Sequence, residues 1–142
     1  MDYVRKHNIE IFNARGVYSI PMAEFAVSGV LQLYKKAKDF FINQQKHDWE
    51  KRRDLLELFN KTVCVVGCGN VGTECAIRFN AFGSRVLGVD LYTRDDAYYE
   101  KMYPLESLDQ VLAQSDVVVL TLPLTLKSST IPSLTVKFKV PS

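Results

Sequence analysis

The stretch TVCVVGCGNVGTECA, Thr62 to Ala76, sets three glycines, Gly67, Gly69 and Gly72, in G-x-G-x-x-G register. A run of β-branched residues leads into them and small helix formers follow, the context in which such a turn holds a diphosphate. The first glycine allows the tight bend, the second lets backbone approach a pyrophosphate, and the third lets helix and strand pack closely. Amide N–H groups at the start of the helix then face the anion, an interaction of roughly 0.3 to 2 kcal/mol. A carboxylate completes the pattern: Asp90 closes the run VLGVD, 18 residues beyond Gly72. At the tip of the next strand it can accept hydrogen bonds from the ribose hydroxyls of an adenosine, and it repels a 2′-phosphate, which favours NAD over NADP. Arg94, four residues on, is a guanidinium that could meet such a phosphate. S-adenosylmethionine sites also combine a glycine turn with a strand-end acid, but they need no third glycine, so Gly72 turns the reading toward a dinucleotide.

These groups must be positioned by the elements around them. Thr62 to Val66 reads as a strand, and a helix from about Val71 ends at Phe82-Gly83, Gly83 being a natural left-handed stop. Arg85 to Val89 reads as a second buried strand. Ser107 and Gln110 form a capping-box pair ahead of Leu108, Val111 and Leu112, predicting a short helix. It leads into DVVVLTLP, Asp116 to Pro123, a third and fully buried strand. Strand, helix, strand, helix, strand at these spacings specifies an α/β fold, a Rossmann-like parallel sheet with flanking helices and right-handed crossovers.

Upstream, NIEIFN alternates Ile9 and Ile11 with polar neighbours and reads as a short strand, followed by the loop Ala14-Arg15-Gly16. From about Pro21 to His47 the period becomes helical, with Met22, Ala26, Val30, Leu33, Ala37 and Phe40 at steps of three and four. Pro21 suits the first turn of that long helix, and Glu24 stands near the positive end of its dipole. Its apolar face is broader than one small sheet edge needs, so a second surface, such as another subunit, is expected to cover it. Trp49 and the charged EKRRD form a connector.

The bulk numbers narrow the classes. At 142 residues the chain is sized for one domain, which buries roughly two-thirds of its unfolded surface. With 47% hydrophobic and 24% charged residues it has the composition of a globular protein. Eighteen basic residues against 16 acidic leave only +2, which points away from nucleic acid, and the clusters Lys35-Lys36-Ala37-Lys38 and Lys51-Arg52-Arg53 read as solvated helix faces. No apolar run reaches the roughly 18 residues of a membrane span, and the opening MDYVRKHNIE lacks the apolar core of a signal peptide, so a cytoplasmic location is expected. Cys64, Cys68 and Cys75 are odd in number and lack C-x-x-C spacing, which disfavours disulfides and zinc and makes them small buried hydrophobes.

Taken together, NARGVYSIPMAEFAV, Trp49, LLELFNKTVCVVGCGNVG, AFGSRVLGVD and SDVVVLTLPLT resemble the nucleotide-binding domain of the D-isomer-specific 2-hydroxyacid dehydrogenases. The resemblance runs from Asp2 to Ser129. It implies a partial NAD-binding domain over residues 1–129, including the long helix, and a tail at 130–142 outside the family pattern. It also implies NAD as cofactor and a small 2-hydroxy or 2-keto acid as substrate of the intact enzyme. Asn70 and Val71 would lie against the pyrophosphate and Asp90 against the ribose. Leu122 and Pro123 would pass near the adenosine side, with Ser128 in the next loop. The helix starting near Pro21 is similar to the one through which these enzymes form dimers, implying a homodimer.

Hydride transfer from a hydroxyacid needs a cation for the substrate carboxylate and a group that takes the hydroxyl proton. General acid–base catalysis of this kind contributes roughly 10² to 10⁴ in rate. In the family an arginine, a histidine and a glutamate do this, all downstream of the PLT loop. The two histidines here, His7 and His47, precede the glycine turn, and Arg15 of Asn13-Ala14-Arg15-Gly16 mimics the family's N-x-x-R-G motif in the wrong place. No catalytic residue is therefore assigned, and the chain reads as a fragment, inactive alone. After Ser129, Leu134, Val136, Phe138 and Val140 alternate with polar residues as an amphipathic strand. Two other functions remain open at this level: an NAD-responsive, corepressor-like dimeric interaction module, and an S-adenosylmethionine-binding domain.

Overall fold

A computed structural model describes residues 2–123 and the backbone of 135–138. In chain order the elements are α1 (Asp2–Lys6), α2 (Ser19–Tyr34), α3 (Ala37–Gln45), β1 (Thr62–Val66), α4 (Asn70–Ala81), β2 (Arg85–Val89), β3 (Lys101–Tyr103), α5 (Leu108–Ala113), β4 (Val117–Leu120) and β5 (Thr135–Phe138). The strands form one sheet in the order β3-β2-β1-β4-β5. The first four run parallel and β5 pairs antiparallel with β4.

β1 is central, and the two-residue period of a strand sends its side chains alternately to two different cores. Val63 and Val65 pack with Ala23, Ala26, Val27 and Val30 of α2 and with Cys75, Ala76 and Phe79 of α4. Cys64 and Val66 face the other way, onto Leu87, Val89 and Val111. With both faces covered, β1 is a continuous apolar run rather than an alternating one. Small residues on α2 let it lie close along α4, and Glu24 reaches Arg78 of α4 at 3.6 Å.

Several expectations change. The predicted helix over 21–47 is two helices, broken where Lys36 adopts a left-handed conformation, φ 49° and ψ 43°. The break turns the Lys36 ammonium onto Asp54, which also binds Arg52 at 3.2 Å, and these cations hold the Asp54 carboxyl far below the usual range. The apolar period runs on through the break, so periodicity alone does not reveal it. α2 starts two residues ahead of Pro21, which takes Glu24 out of its first turn. NIEIFN is not a strand: no strand among the described residues pairs with it, and Ile9, Ile11 and Phe12 are exposed. Ser107 makes no capping hydrogen bond, because it ends a 3₁₀ turn at φ −90°, ψ 5° instead of the extended conformation a cap needs. β4 is less buried than expected, Val118 and Leu120 being half-buried.

Gly83 stops α4 at φ 72°, as predicted, and β1 and β2 match their expected bounds. A strand was expected in the tail, and β5 lies there, although Leu134 and Val140 fall outside the described residues. β3 and α1 are additions to the predicted elements.

The tightest packing is at the third glycine, where an added Cβ would sit 2.2 Å from the Gly67 carbonyl oxygen. Gly72→Ala is therefore expected to cost about 1 to 3 kcal/mol or more, through overpacking against backbone that cannot yield. Thermal and urea denaturation followed by circular dichroism measure it. An unchanged midpoint would show that the turn is not pressed against the helix.

Candidate functional site

β1, β2 and β4 all point their carboxyl ends at one edge of the sheet, where the glycine turn lies, and in open α/β sheets this is the edge that holds ligands. Gly67 makes the bend at φ 93° and donates its N–H to the Val89 carbonyl at 2.9 Å. Its carbonyl accepts the Thr121 hydroxyl, and a Cβ here would come within 2.9 Å of Thr121 O and 3.2 Å of Leu122 Cδ2. The first and third glycines are thus required by the chain's own packing.

The middle glycine is different. Gly69 has φ −74°, which any residue adopts, and an added Cβ would meet nothing within 4 Å. Nothing in the fold around it asks for glycine, whereas a diphosphate lying on the backbone would. The first three amides of α4, those of Asn70, Val71 and Gly72, find no acceptor among the described residues, as at the free N-terminus of a helix. Val71 turns its side chain onto the core. The Asn70 side chain lies under the N-terminal loop, with Nδ2 3.0 Å from where a Gly16 Cβ would be.

Asp90 sits at this edge. Its Oδ2 accepts the Cys68 N–H at 2.5 Å and its Oδ1 the Tyr92 N–H at 3.3 Å. Two backbone donors fix the carboxylate against the turn while two of its roughly four acceptor positions remain. Arg94 makes no ion pair with Asp90. Its Nη2 donates to the Cys68 carbonyl at 3.0 Å and to Thr73 Oγ1 at 3.1 Å, and it pairs with Asp96 at 3.0 Å.

The structure therefore brings together Gly67, Gly69, Asn70, Val71, Gly72, Asp90 and Leu122, with Pro123 following beyond the end of β4 and exposed. Ser128 lies outside the described residues. Thr73, Asp96 and Thr121 belong to the same edge and were not singled out from the sequence, where each is one common polar residue in a loop or first turn. His7 stacks on Tyr3, with ring centroids 4.0 Å apart, and His47 is exposed at φ 56°. The Arg15 amide bonds Asn13 Oδ1 in an exposed loop. Among the described residues no group of three or more His, Cys, Asp or Glu side chains could hold a metal ion, and no helix is long and apolar enough to cross a membrane.

An α/β sheet with a glycine turn, a free helix N-terminus and a strand-end acid at one edge defines a Rossmann-type dinucleotide-binding domain. The chain belongs to the family of the D-isomer specific 2-hydroxyacid dehydrogenase NAD binding domain, whose model matches residues 27–133. It is 31% identical to the D-lactate dehydrogenase of Lactiplantibacillus pentosus over 121 residues, 84% of this chain and 36% of that enzyme. The structure of D-lactate dehydrogenase from Aquifex aeolicus, complexed with NAD and lactic acid, superposes with a TM-score of 0.73 at 29% identity, covering 89% of this chain and 38% of that one. An NADPH-dependent glyoxylate/hydroxypyruvate reductase from Sinorhizobium meliloti, complexed with NADP and sulfate, gives 0.69 at 26% identity, covering 82% and 36%. The chain thus spans little more than a third of the length of these relatives.

All three cysteines are free and buried. Desolvation by burial, the dominant cause, pushes Cys64 and Cys75 up to about 12 and Cys68 to about 11, from an ordinary thiol value of 9.0. The folded chain thus holds these protons more tightly than the unfolded chain. Their contribution to stability is fully present below pH 9 and falls as pH rises from 9 through 11 to 12. Unfolding free energy measured across pH 8 to 11 should decline over that window, and a thiol reagent at pH 8 should label the cysteines only in denaturant. Rapid labelling of the native chain would contradict their burial.

Proposed function

We propose that this chain holds NAD along the edge formed by Gly67, Gly69, Asn70, Val71, Gly72 and Asp90, as the cofactor-binding portion of an oxidoreductase acting on the CH–OH group of a D-2-hydroxyacid. Bound NAD supplies the hydride acceptor. The chain's own residues bind and orient it. The α4 amides and the open backbone at Gly69 take the diphosphate, and Asp90 takes the ribose hydroxyls. Leu122 and Pro123, with Ser128 beyond them, border the adenosine side. The observation that carries this reading is the pairing of a middle glycine the fold does not need with a carboxylate fixed beside it.

The same reading assigns the hydroxyacid chemistry to an arginine, a glutamate and a histidine that the described residues do not bring together at this edge, and on it the chain binds cofactor without turning over substrate. A second copy is proposed to cover α2 and α3, where Phe25, Leu33 and Phe41 stay exposed, Phe25 at 73%. A cytoplasmic setting fits a domain that works on a soluble dinucleotide.

Calorimetric titration of the chain with NADH and NADPH is expected to show NADH bound at least tenfold more tightly, the scale of a charge-assisted hydrogen bond. Asp90→Asn keeps an oxygen for the Cys68 amide and removes the charge, and should erase most of that preference. Equal affinity for the two nucleotides in the unaltered chain would remove the role given to Asp90. Turnover of D-lactate or glycerate by the purified chain would overturn the account of its inactivity.

A further inference from the structure

Cys68 is gripped from both sides by opposite charges: Asp90 accepts its N–H and Arg94 donates to its carbonyl. The carboxylate and the guanidinium therefore stand on one rim with a single residue's backbone between them, and on the cofactor reading a phosphate carried on the ribose at Asp90 would face Arg94. A guanidinium is permanently charged, and its forked edge is the natural partner for phosphate. Here that edge is already taken. Both Nε, at 3.2 Å, and Nη2, at 3.0 Å, point to Asp96 Oδ2. Asp96 is itself held, its Oδ1 accepting the Tyr98 N–H at 3.1 Å and its carbonyl the Tyr99 N–H at 3.2 Å. Its side chain is 13% exposed against 45% for Arg94, so the carboxylate is the fixed member of the pair. From Asp90 to Asp96 the loop carries three carboxylates, Asp90, Asp95 and Asp96, against the one guanidinium, which leaves the rim net negative.

We infer that Asp96 is a specificity-determining residue, excluding a 2′-phosphorylated dinucleotide by keeping the Arg94 fork occupied and its charge compensated. The inference rests on the cofactor reading above and adds a second group to Asp90. Removing the Asp96 charge releases Nε, leaves Nη2 on the Cys68 carbonyl and Thr73, and uncovers the guanidinium charge while lowering the negative charge of the rim, both in favour of NADPH.

The test is titration of the chain and its variants with NADH and with NADPH. Asp96→Asn keeps an oxygen for the Tyr98 amide, and Asp96→Ser, which keeps a hydroxyl oxygen there, repeats the test should the first variant fold poorly. Either is expected to bind NADPH about tenfold more tightly than the unaltered chain, with NADH affinity within about twofold, and Arg94→Ala placed on top should abolish the gain. Unchanged NADPH affinity in a folded Asp96 variant, or a gain that survives the loss of Arg94, overturns the inference while leaving the cofactor reading intact. Failure of the unaltered chain and the variants to bind either nucleotide removes both.

Discussion

The contact between Gly72 and the Gly67 carbonyl sets the position of the groups at the carboxyl edge of the sheet. Because α4 carries no side chain at Gly72, its first turn comes close against the end of β1, and any Cβ there would overlap the backbone of the bend. That approach fixes where the first three amides of α4 point. The bend is fixed from the other side as well, by the Gly67 N–H on Val89 O and by Thr121 on the Gly67 carbonyl. Helix dipole and free donors are useful to an anion only if they are aimed before it arrives, and here the aim comes from packing.

Much of this was legible in the sequence, for a physical reason. A strand buried on both faces must be continuously apolar, and a helix that starts on a glycine bend must carry glycine where it touches the strand, so Thr62 to Ala76 could fold in few other ways. Gly83 and Asp90 were legible on similar grounds: each sits where a backbone conformation or a strand end restricts the choice. The family motif then confirmed an order of elements that hydropathy had already given.

What escaped the sequence depends on tertiary partners. Ile9 and Ile11 alternate like strand residues, but a strand exists only where another chain segment offers hydrogen bonds, and the sheet edges are supplied by β3 and β5 instead. Conversely Lys101–Tyr103 is too short to show a period and is a strand because β2 lies beside it. The break at Lys36 coincides with its ion pair to Asp54, 18 residues along in the connector, and local apolar spacing carries no trace of it. Asp96 was illegible for the same reason, since a carboxylate two residues from an arginine looks like any solvated pair until the Cys68 carbonyl is seen to hold the guanidinium on the turn.

Cys68 joins the two halves of the molecule's logic. Its backbone lies between Asp90 and Arg94 at the nucleotide edge, while its side chain is buried in the core with Tyr99 and in contact with β2. Gly88 of β2 makes room for it: a Cβ there would stand 2.8 Å from the Cys68 sulfur and 2.9 Å from Tyr99 Cδ1. The sulfur in turn lies 3.7 Å from the carbonyl of Val89, the residue before Asp90. The bend and the acid are therefore not two separate features that happen to converge. Strand β2 supports the thiol from below and presents the carboxylate from its tip, so any change that lifts Cys68 off Gly88 also shifts the amide that Asp90 holds. An edge built this way ties its charge geometry to the packing of the core, and a small-to-large change one strand away acts on the Asp90 carboxylate through a single residue.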